Sequence, residues 1–358
     1  MDTTRTFPHP RIGILGGGGI LGAHGPAFRK LAGRCTVTVA AEPNPDRADA
    51  IRRLLSPDVR IVKDYRDVLA MPDVDAVDIL LPHHLHMPAA VDAALSGKPV
   101  LVEKVMARNV RECDEMIRAC EEAGVSLTVC HDRRYHPEWR AIKDVVDSGA
   151  LGRVFFWRLD HNQDVSAPPG HWIRSRDALG GGAIMSCLTH QIDALRWYGG
   201  EVDAVTCMTR TEPSRMEGEF LGVITARMRS GALAELSINW WTTAHRDTNL
   251  WYEMVHVCGS GGEAYTMSDR GSFVKLHDPG DAAAVARYGE AALERFVPLS
   301  TGDGSGHDGC IREWVASLRG EPSAIVTSGR ECRGTVAAAE AAYLAEQTGR
   351  TVTIDGDG

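Results

Sequence analysis

Two patterns of hydrophobic and polar residues divide the chain near residue 130. In the first part, short runs rich in β-branched residues alternate with segments whose apolar positions recur every three or four residues. The first pattern predicts strands and the second predicts amphipathic helices. The predicted strands cover residues 12–15, 37–41, 77–81, 100–102 and 126–130. Because strands that alternate with helices form βαβ units, we predict a parallel sheet with right-handed crossovers.

One helix of this first part is predicted in detail. Asn109 can cap its N-terminus, and Glu112, three residues later, can complete a capping box. Four apolar or weakly polar residues then fall on one helix face: Cys113, Met116, Ile117 and Cys120. Gly124 is the predicted end of the helix.

After about residue 150, longer strand-like runs are separated by turns. They cover residues 154–160, 202–209, 220–228, 232–240, 251–258 and 263–266. Helices are predicted at about 182–197 and 307–318, and an alanine-rich helix near 331–347. Such a run of strands favours a large, mostly antiparallel sheet. We therefore predict an α/β protein with two domains, 1–130 and 131–358, whose last helix is free to pack back on the first domain.

Composition narrows the class of protein. A length of 358 residues suits two domains, and 44% hydrophobic with 24% charged residues is typical of a globular protein. The net charge of -9 and the lack of Lys/Arg clusters argue against a nucleic-acid or anionic-membrane partner. No apolar run is long enough to cross a bilayer, and residues 1–11 lack the apolar core of a secretory signal. Nine cysteines without a Cys-x-x-Cys pair indicate reduced thiols and a cytoplasmic location.

A glycine-rich turn, Gly-Gly-Gly-Gly-Ile-Leu-Gly at 16–22, directly follows the first predicted strand. Glycines at such a turn allow a dinucleotide pyrophosphate to approach the backbone and the positive end of the next helix. In one register Gly16 and Gly18 take the first two glycine positions and Leu21 the third. In the other register all three positions are glycine. The predicted cofactor contacts are Gly16, Gly18, Gly19, Ile20 and Leu21; the alternative is a tight turn without a ligand.

An acid ends the second predicted strand, about twenty residues beyond the glycines. The Glu42 carboxylate can accept hydrogen bonds from both ribose hydroxyls of NAD and would repel the 2′-phosphate of NADP. Arg47 is the nearby cation that could approach such a phosphate. We therefore predict NAD rather than NADP, the alternative being a solvated acid at a strand end.

Six motifs, taken in order, resemble those of the Gfo/Idh/MocA oxidoreductases: the glycine turn ending in His24, residues 81–86, Glu103-Lys104, residues 131–137, residues 149–154, and the triple glycine 180–182 with His190 and Asp193. The resemblance covers nearly the whole chain. It implies an N-terminal Rossmann dinucleotide-binding domain and a C-terminal α/β domain with a large open sheet. It also implies hydride exchange between a nicotinamide and a sugar-like alcohol or ketone, and a homo-oligomer, dimer or tetramer, formed through the open sheet face.

The resemblance assigns residues of the first domain to the cofactor and the reaction. Lys104 matches the lysine of the family's Glu-Lys-Pro motif, and a lysine there can hydrogen-bond the reacting oxygen and stabilise alkoxide character. Val105 stands in the position of the motif's proline. In the family, the peptide bond before that proline is expected to be cis. Residues placed beside the cofactor are Pro82, His83, His86, Glu103 and Lys104, and His86 is also predicted to cap the following helix.

In the second domain, the family motif has an acid four residues before a histidine, so that both share a helix face. His190 matches the histidine and is the predicted general base. Ser186 stands in the acid's position, where it can hydrogen-bond the substrate or His190 but carries no charge. Predicted substrate contacts are Tyr135, His171, Trp172, Arg174 and Asp193. Two of these residues have an alternative role. Asp193 is alternatively a structural residue, and Tyr135 alternatively makes a contact across the interface between the two domains.

A metal is not predicted. His83, His84 and His86 lie close in sequence, but no cysteine or acid accompanies them as a zinc site would require.

Three functions are compatible with the sequence. The favoured one is an NAD-dependent dehydrogenase or reductase that acts on a secondary alcohol or ketone of a sugar, cyclitol or glycoside. The second is an NAD-dependent hydrolase or lyase that oxidises a sugar transiently. The third is a non-catalytic, sugar-responsive regulator. The three share one fold, so the fold alone does not choose among them.

Overall fold

The computed structural model describes residues 5–242, 252–268 and 270–354. The chain forms two compact units, Met1–Tyr135 with Ser305–Arg333, and His136–Gly304 with Gly334–Gly358. This division differs from the predicted domains 1–130 and 131–358 in two respects. The first boundary falls five residues later, and the segment Ser305–Arg333 belongs to the first unit.

The first unit contains a six-stranded parallel sheet. Its strands are β1 (Arg11–Leu15), β2 (Thr36–Ala41), β3 (Arg60–Val62), β4 (Ala76–Ile79), β5 (Val100–Glu103) and β6 (Leu127–Cys130). They lie in the order β3-β2-β1-β4-β5-β6, which is the strand order of a Rossmann fold. All five predicted strands are present. The three-residue β3 was not predicted, because its run of apolar residues is too short to show a period.

Five α-helices follow these strands: α1 (Leu21–Lys30), α2 (Ala48–Leu54), α3 (Tyr65–Leu69), α4 (His86–Leu95) and α5 (Val110–Glu122). Asn109 caps α5 as predicted, since its side chain accepts the Glu112 N–H at 2.9 Å. The predicted capping box is wrong in its second half, because the Glu112 carboxylate accepts the Arg108 N–H at 3.1 Å instead. The four residues predicted for the inner face of α5 are buried.

The second part of the chain continues with α6 (Pro137–Asp147), β7 (Val154–Asn162), α7 (Arg176–Leu179), α8 (Thr189–Gly199), β8 (Val202–Thr211), β9 (Glu219–Met228), β10 (Leu233–Asn239), β11 (Glu253–Gly259), β12 (Gly262–Met267), β13 (Gly271–Leu276), α9 (Ala282–Tyr288), α10 (Ala291–Glu294), β14 (Val297–Pro298), α11 (Gly306–Leu318), α12 (Gly329–Thr348) and β15 (Val352–Thr353). Shorter turns of 3-10 helix span Pro45–Arg47, His83–Leu85, Asp132–Tyr135 and Trp172–Arg174, and a π-helical turn spans Ile184–Leu188.

The second unit contains a nine-stranded sheet in the order β14-β13-β12-β11-β7-β10-β9-β8-β15. Among the described residues its neighbouring strands are antiparallel, except for the parallel pair β7 and β10. The predicted mostly antiparallel sheet is therefore confirmed. The strand predicted at 251–258 is seen from Glu253 onward, and Trp251 lies outside the described residues. Strands β13, β14 and β15 were not predicted.

One face of this sheet, here called the open face, carries exposed apolar side chains. Leu233 on β10, Val223 on β9 and Met208 on β8 belong to it, and the register pairs Met208 directly with Val223. Their exposed fractions are 57%, 40% and 79%. The opposite face is buried, as the alternation along β9 and β10 shows.

Within the described residues, no helix has the length and apolar character needed to cross a membrane.

Helix α11 completes the core of the first unit. Its residues Cys310, Ile311, Trp314, Val315 and Leu318 pack in one buried cluster with the strands and helices of the Rossmann sheet. The rings of Trp314 and Phe28 of α1 meet edge to face, with their centroids 6.5 Å apart. The helix was predicted at 307–318, but its place in the first unit was not.

Candidate active site

The turn after β1 leaves room beside the N-terminus of α1. Gly16 has a φ of 112°, and a Cβ on it would lie 2.6 Å from the Leu80 carbonyl oxygen, so the position requires glycine. A Cβ on Gly18 or Gly19 would meet no atom within 4 Å. Ile20, the N-cap of α1, makes no side-chain capping bond to the first turn. Open space in front of an uncapped helix N-terminus fits a dinucleotide pyrophosphate.

The structure favours the register that begins at Gly16. In that register the third position is Leu21, whose side chain is fully buried. The close helix packing that a third glycine would allow is provided instead by Gly25, where a Cβ would lie 2.8 Å from the Leu54 carbonyl oxygen of α2. The sequence alone gives no sign that Gly25 has this role.

Glu42 lies against the glycine turn. Its Oε2 accepts the Gly17 N–H at 3.1 Å, and its Oε1 accepts the Asn44 N–H at 2.9 Å. Arg47 donates from Nε to the Gly17 carbonyl at 2.6 Å and lies 3.9 Å from Glu42 Oε2. The carboxylate is thus fixed at the carboxyl end of β2, where the ribose of a bound dinucleotide is expected.

The segments after β4 and β5 are joined by a buried histidine. His86 has Nδ1 at 2.8 Å from the Val105 carbonyl oxygen and Nε2 at 2.7 Å from the Leu81 carbonyl oxygen. Burial lowers the pKa of His86. The predicted capping role of His86 is wrong, because it is the first residue of α4 and its side chain bonds to these two loops. Pro82 begins the 3-10 turn His83–Leu85, and the His83 ring lies 5.5 Å from the His86 ring.

Lys104 directly follows β5 and is half-buried. Its backbone N–H donates to Glu103 Oε2 at 3.1 Å. The Lys104–Val105 peptide bond is cis although Val105 replaces the expected proline. The lysine therefore stands at the carboxyl end of a central parallel strand, the edge at which open α/β sheets bind ligands.

A buried histidine connects β4 and β5. His24 of α1 has no exposed surface; its Nδ1 lies 2.7 Å from Asp78 Oδ2 and its Nε2 lies 2.9 Å from Glu103 Oε1. Burial opposes the charged ring, but the charge and hydrogen bond of Asp78 outweigh it and raise the pKa of His24 well above its usual value. The raised pKa favours the imidazolium form, which lies between the Asp78 and Glu103 carboxylates.

The same cluster sets the charge of Glu103. Burial alone would raise the pKa of Glu103, but the hydrogen bond and charge of His24, with contributions from His307 and Lys104, lower it to about 2. His307 of α11 lies 3.8 Å from Glu103 Oε1 and 3.5 Å from Asp132 Oδ2. Glu103 therefore stays ionised at physiological pH and holds the Lys104 backbone.

These groups also lie within metal-coordinating range of one another, since the ligand atoms of His24, Glu103, Cys130 and His307 are all within 4.8 Å. Both nitrogens of His24 are already bonded to carboxylates, so the imidazolium supplies the positive charge that a metal would supply. The buried cluster is therefore explained as an ion network. Sequence reasoning missed its members Asp78 and His307; the available signal was an acid in the middle of the otherwise apolar strand β4.

The pH dependence of stability tests this network. A group whose pKa is raised in the folded state contributes its full stabilisation at pH values below its pKa in the unfolded state, which is near 6.5 for histidine. This contribution decreases as the pH rises from the unfolded-state pKa to the folded-state pKa. We expect the stability advantage of the native chain over His24→Asn to shrink by about 1.4 kcal/mol per pH unit above pH 6.5. Urea unfolding between pH 6 and 8.5 measures it.

The matched control for this experiment is His9→Asn, because His9 bonds only to the Thr36 hydroxyl in an exposed position. Its stability difference from the native chain should not change with pH. A difference between native and His24→Asn proteins that is constant over the whole range would contradict a charged His24.

In the second unit, one continuous helical segment carries Ser186 and His190. Ser186 lies in the π-helical turn Ile184–Leu188, and His190 is the second residue of α8. Both are buried, with 6% and 7% exposed. π-helical turns are frequent at functional sites, and a separation of four residues suits a shared helix face.

His190 has an aromatic neighbour that the sequence did not reveal. The ring of His161 on β7 is stacked on the His190 ring, with centroids 6.3 Å apart and an interplanar angle of 7°. His161 Nδ1 lies 3.3 Å from Glu253 Oε1, which also accepts the Gln191 side-chain N–H at 3.0 Å. A buried carboxylate on β11 is thus present next to this histidine pair although position 186 lacks one.

Two predicted substrate contacts occupy structural positions instead. Asp193 is fully buried, and its Oδ1 accepts the Thr335 hydroxyl of α12 at 3.0 Å. The Tyr135 hydroxyl lies 3.0 Å from Thr327 Oγ1 and accepts the Val326 N–H at 3.2 Å, all within the first unit. Because these polar groups are already used inside the protein, the geometry does not support direct substrate contact by Asp193 or Tyr135.

The other three predicted contacts lie together. His171, Trp172 and Arg174 line a cavity of about 290 Å³ with residues of the turn before β9. Arg174 donates from its guanidinium to the Ser214 carbonyl at 2.7 Å, which fixes it to that turn. The cavity is open and has both polar and aromatic walls, as a site for a small polar molecule requires.

Comparison with known proteins agrees with this architecture. Residues 10–131 match the model described as "Oxidoreductase family, NAD-binding Rossmann fold", and residues 139–265 match the Gfo/Idh/MocA C-terminal domain. The chain therefore belongs to the Gfo/Idh/MocA oxidoreductase family. Within that family it is an NAD-dependent enzyme with a Rossmann cofactor domain and a second domain built on a mostly antiparallel sheet.

Three relatives illustrate the likeness. A levoglucosan dehydrogenase of Pseudarthrobacter phenanthrenivorans is 33% identical over 56% of this chain and 54% of its own length. An inositol 2-dehydrogenase of Streptomyces avermitilis is 29% identical over 96% of this chain and 94% of its own. The WlbA dehydrogenase of Bordetella pertussis, solved with NADH and UDP-GlcNAcA, superimposes with a TM-score of 0.82 at 25% identity, over 98% of this chain and 99% of that one.

Proposed function

We propose that this protein transfers hydride between NAD and a secondary alcohol or ketone of a sugar, cyclitol or glycoside. The observation that carries the proposal is that both reaction residues of the family are retained. Lys104 stands at the carboxyl end of β5, and His190 stands on the helical segment after the triple glycine. The relatives named inositol 2-dehydrogenase and levoglucosan dehydrogenase support the substrate class.

The first unit holds the cofactor in this proposal. The turn at Gly16, Gly18 and Gly19 and the N-terminus of α1, with Ile20 and Leu21, receive the pyrophosphate. Glu42 accepts the ribose hydroxyls, while Arg47 stays bonded to the Gly17 carbonyl. The further contacts proposed beside the nicotinamide half are Pro82, His83 and Lys104. His86 and Glu103 hold the adjoining segments from inside the protein, because their polar atoms are already bonded there. NAD supplies the hydride acceptor when it is bound.

The protein's own residues accept the proton of the substrate hydroxyl and stabilise the negative charge on its oxygen. His190 accepts the hydroxyl proton as the substrate alcohol is oxidised. The Lys104 ammonium donates a hydrogen bond to the same oxygen and stabilises its developing negative charge. Ser186 donates or accepts a hydrogen bond beside His190 without adding charge. His171, Trp172 and Arg174 bind the sugar-like part of the substrate, Trp172 by offering an aromatic face.

The test is steady-state nicotinamide reduction by purified protein, with NAD and NADP supplied separately against cyclitols, pyranoses and glycosides. We expect turnover with NAD and one of these groups. If nothing is reduced while a glycoside is cleaved, the enzyme is instead a hydrolase or lyase with transient oxidation. If the protein binds NADH but neither reduces nor cleaves, the regulator hypothesis replaces the proposal.

Glu42 is expected to set the cofactor preference. In Glu42→Gln, kcat/KM for NAD should fall by about tenfold, because a hydrogen bond to a charged acceptor contributes about 1–1.5 kcal/mol more than one to a neutral acceptor. The kcat/KM for NADP should rise, because the repulsion of the 2′-phosphate is removed. Asp46→Asn, which removes an exposed acid of the same loop, is the control and should leave both values unchanged. An unaltered NAD/NADP ratio in Glu42→Gln would refute the ribose role.

We also propose a cytoplasmic homo-oligomer, a dimer or tetramer joined through the open face. The exposed Met208, Val223 and Leu233 support this proposal, because exposed apolar groups on one face of a sheet favour association.

A further inference from the structure

We propose that His256, Cys258 and Glu263 form a zinc site on the open face, independent of the oxidoreductase reaction. Their ligand atoms, one ring nitrogen, one thiol sulfur and one carboxylate oxygen, lie within 4.8 Å of one another. Nitrogen, sulfur and oxygen of these side chains are the ligands that zinc takes in proteins.

Strand register brings the three residues together. His256 and Cys258 are two residues apart on β11, so their side chains share a face of the sheet. Glu263 on β12 is the direct cross-strand partner of Cys258. His256 is paired with Arg158 of β7, and Leu233 of β10 is paired with Phe156 of the same strand, so the cluster lies on the open face. Side chains carried by paired strands are held more precisely than side chains on loops.

The contacts converge on one nitrogen. His256 Nε2 lies 3.0 Å from Glu263 Oε2 and 3.4 Å from Cys258 Sγ. A single N–H on Nε2 cannot serve both neighbours, whereas a cation between the three atoms is bonded by each of them. With ordinary zinc bond lengths, ligands of a tetrahedral site lie roughly 3.3–3.7 Å apart, which is close to the separations seen.

A second histidine supports the carboxylate from outside. His277, which follows β13, has Nε2 at 3.4 Å from Glu263 Oε1, the oxygen that does not approach His256. Metal-bound carboxylates are typically hydrogen-bonded in this way, and such outer contacts tune affinity. Three protein ligands leave the fourth tetrahedral position for water, as in zinc sites that are open to solvent.

In the single chain, the cluster is accessible to zinc from solvent. The side chains of His256 and Glu263 are 28% and 23% exposed, and that of His277 is 42% exposed. The buried group around His24 lacks this access, because His24, Glu103 and Cys130 are buried. The two clusters therefore differ in accessibility.

The experiment uses the full-length chain without a histidine tag, after removal of metals by a chelator. Co²⁺ is the probe, because a thiolate ligand gives a charge-transfer absorption in the near ultraviolet, and Zn²⁺ is then added as competitor. We expect saturable binding of one Co²⁺ per chain, with the thiolate band, and its displacement by Zn²⁺.

Variants locate the site. Cys258→Ala should abolish the thiolate band, and Glu263→Gln should weaken Co²⁺ binding by more than about tenfold, because a direct ligand contributes at least as much as an outer contact. His277→Ala should weaken it by about 10–100-fold. Cys207→Ala removes another half-buried thiol of the same sheet and should bind as the native chain does. Circular dichroism and thermal unfolding confirm that each variant is folded.

Absence of saturable binding in the native chain would overturn the proposal. So would a thiolate band that survives in Cys258→Ala, since the metal would then be bound elsewhere, or an unchanged affinity in folded Glu263→Gln.

Discussion

Replacing His190 by glutamine should lower kcat by about 10²–10⁴-fold, because the variant has no side chain that can accept the substrate's proton. Glutamine keeps much of the size and polarity of the buried ring, so the fold and the affinity for NADH should be retained. Stopped-flow or steady-state measurement of NADH formation gives kcat, and fluorescence titration gives NADH affinity. Because only the unprotonated base acts, we expect the native rate to decline at low pH and this decline to be absent in the variant.

His9→Gln serves as the control, since His9 is exposed and bonds only to the Thr36 hydroxyl. Its kinetics should equal those of the native chain. If His190→Gln kept more than about a tenth of the native kcat with an unchanged pH profile, another group would have to act as the base. His161, whose ring is stacked on His190, would then be the first candidate.

Lys104→Met should reduce kcat/KM by about 10²–10³-fold, the usual effect of removing one donor that stabilises developing negative charge. Methionine preserves the length and apolar stem of the side chain, and the backbone N–H that bonds Glu103 is unaffected. The loss should appear mainly in kcat, because the hydrogen bond strengthens as the oxygen gains charge. Initial rates at saturating NAD over a range of substrate concentrations separate kcat from KM.

The exposed Lys63→Met is the matched control and should have native kinetics. A loss confined to KM in Lys104→Met would show that Lys104 only binds substrate. A native kcat/KM would remove Lys104 from the reaction altogether.

Local pattern was enough to predict the two sheets and most of their strands. In the first unit, the predicted strands are short apolar runs rich in β-branched residues, and each is followed by a glycine, a proline or a polar residue, which is a strong local signal. The Asn109 cap and the buried face of α5 follow from spacing alone. The strands of the second unit were recognisable because one face is buried and the other is open, so that their residues alternate.

What the sequence could not supply are contacts between distant segments. His24 lies 54 residues from Asp78 and 79 from Glu103, and nothing local links them. His161, His190 and Glu253 likewise come from three separate elements. The substrate roles predicted for Tyr135 and Asp193 lost support for the same reason, because their hydrogen-bond partners, Thr327 and Thr335, lie far along the chain.

The place of α11 has a consequence for how the protein is made. The Rossmann sheet is complete when residue 130 has been synthesised, yet its core still lacks Ile311, Trp314 and Val315, and Phe7 lacks the Leu318 carbonyl to which its N–H is bonded at 2.8 Å. A nascent chain must therefore carry an exposed apolar surface on its cofactor unit while about 190 further residues are synthesised, at about 5–20 residues per second. We expect chaperones to bind this surface during those seconds, because the last part of the first unit's core is synthesised after most strands of the second unit.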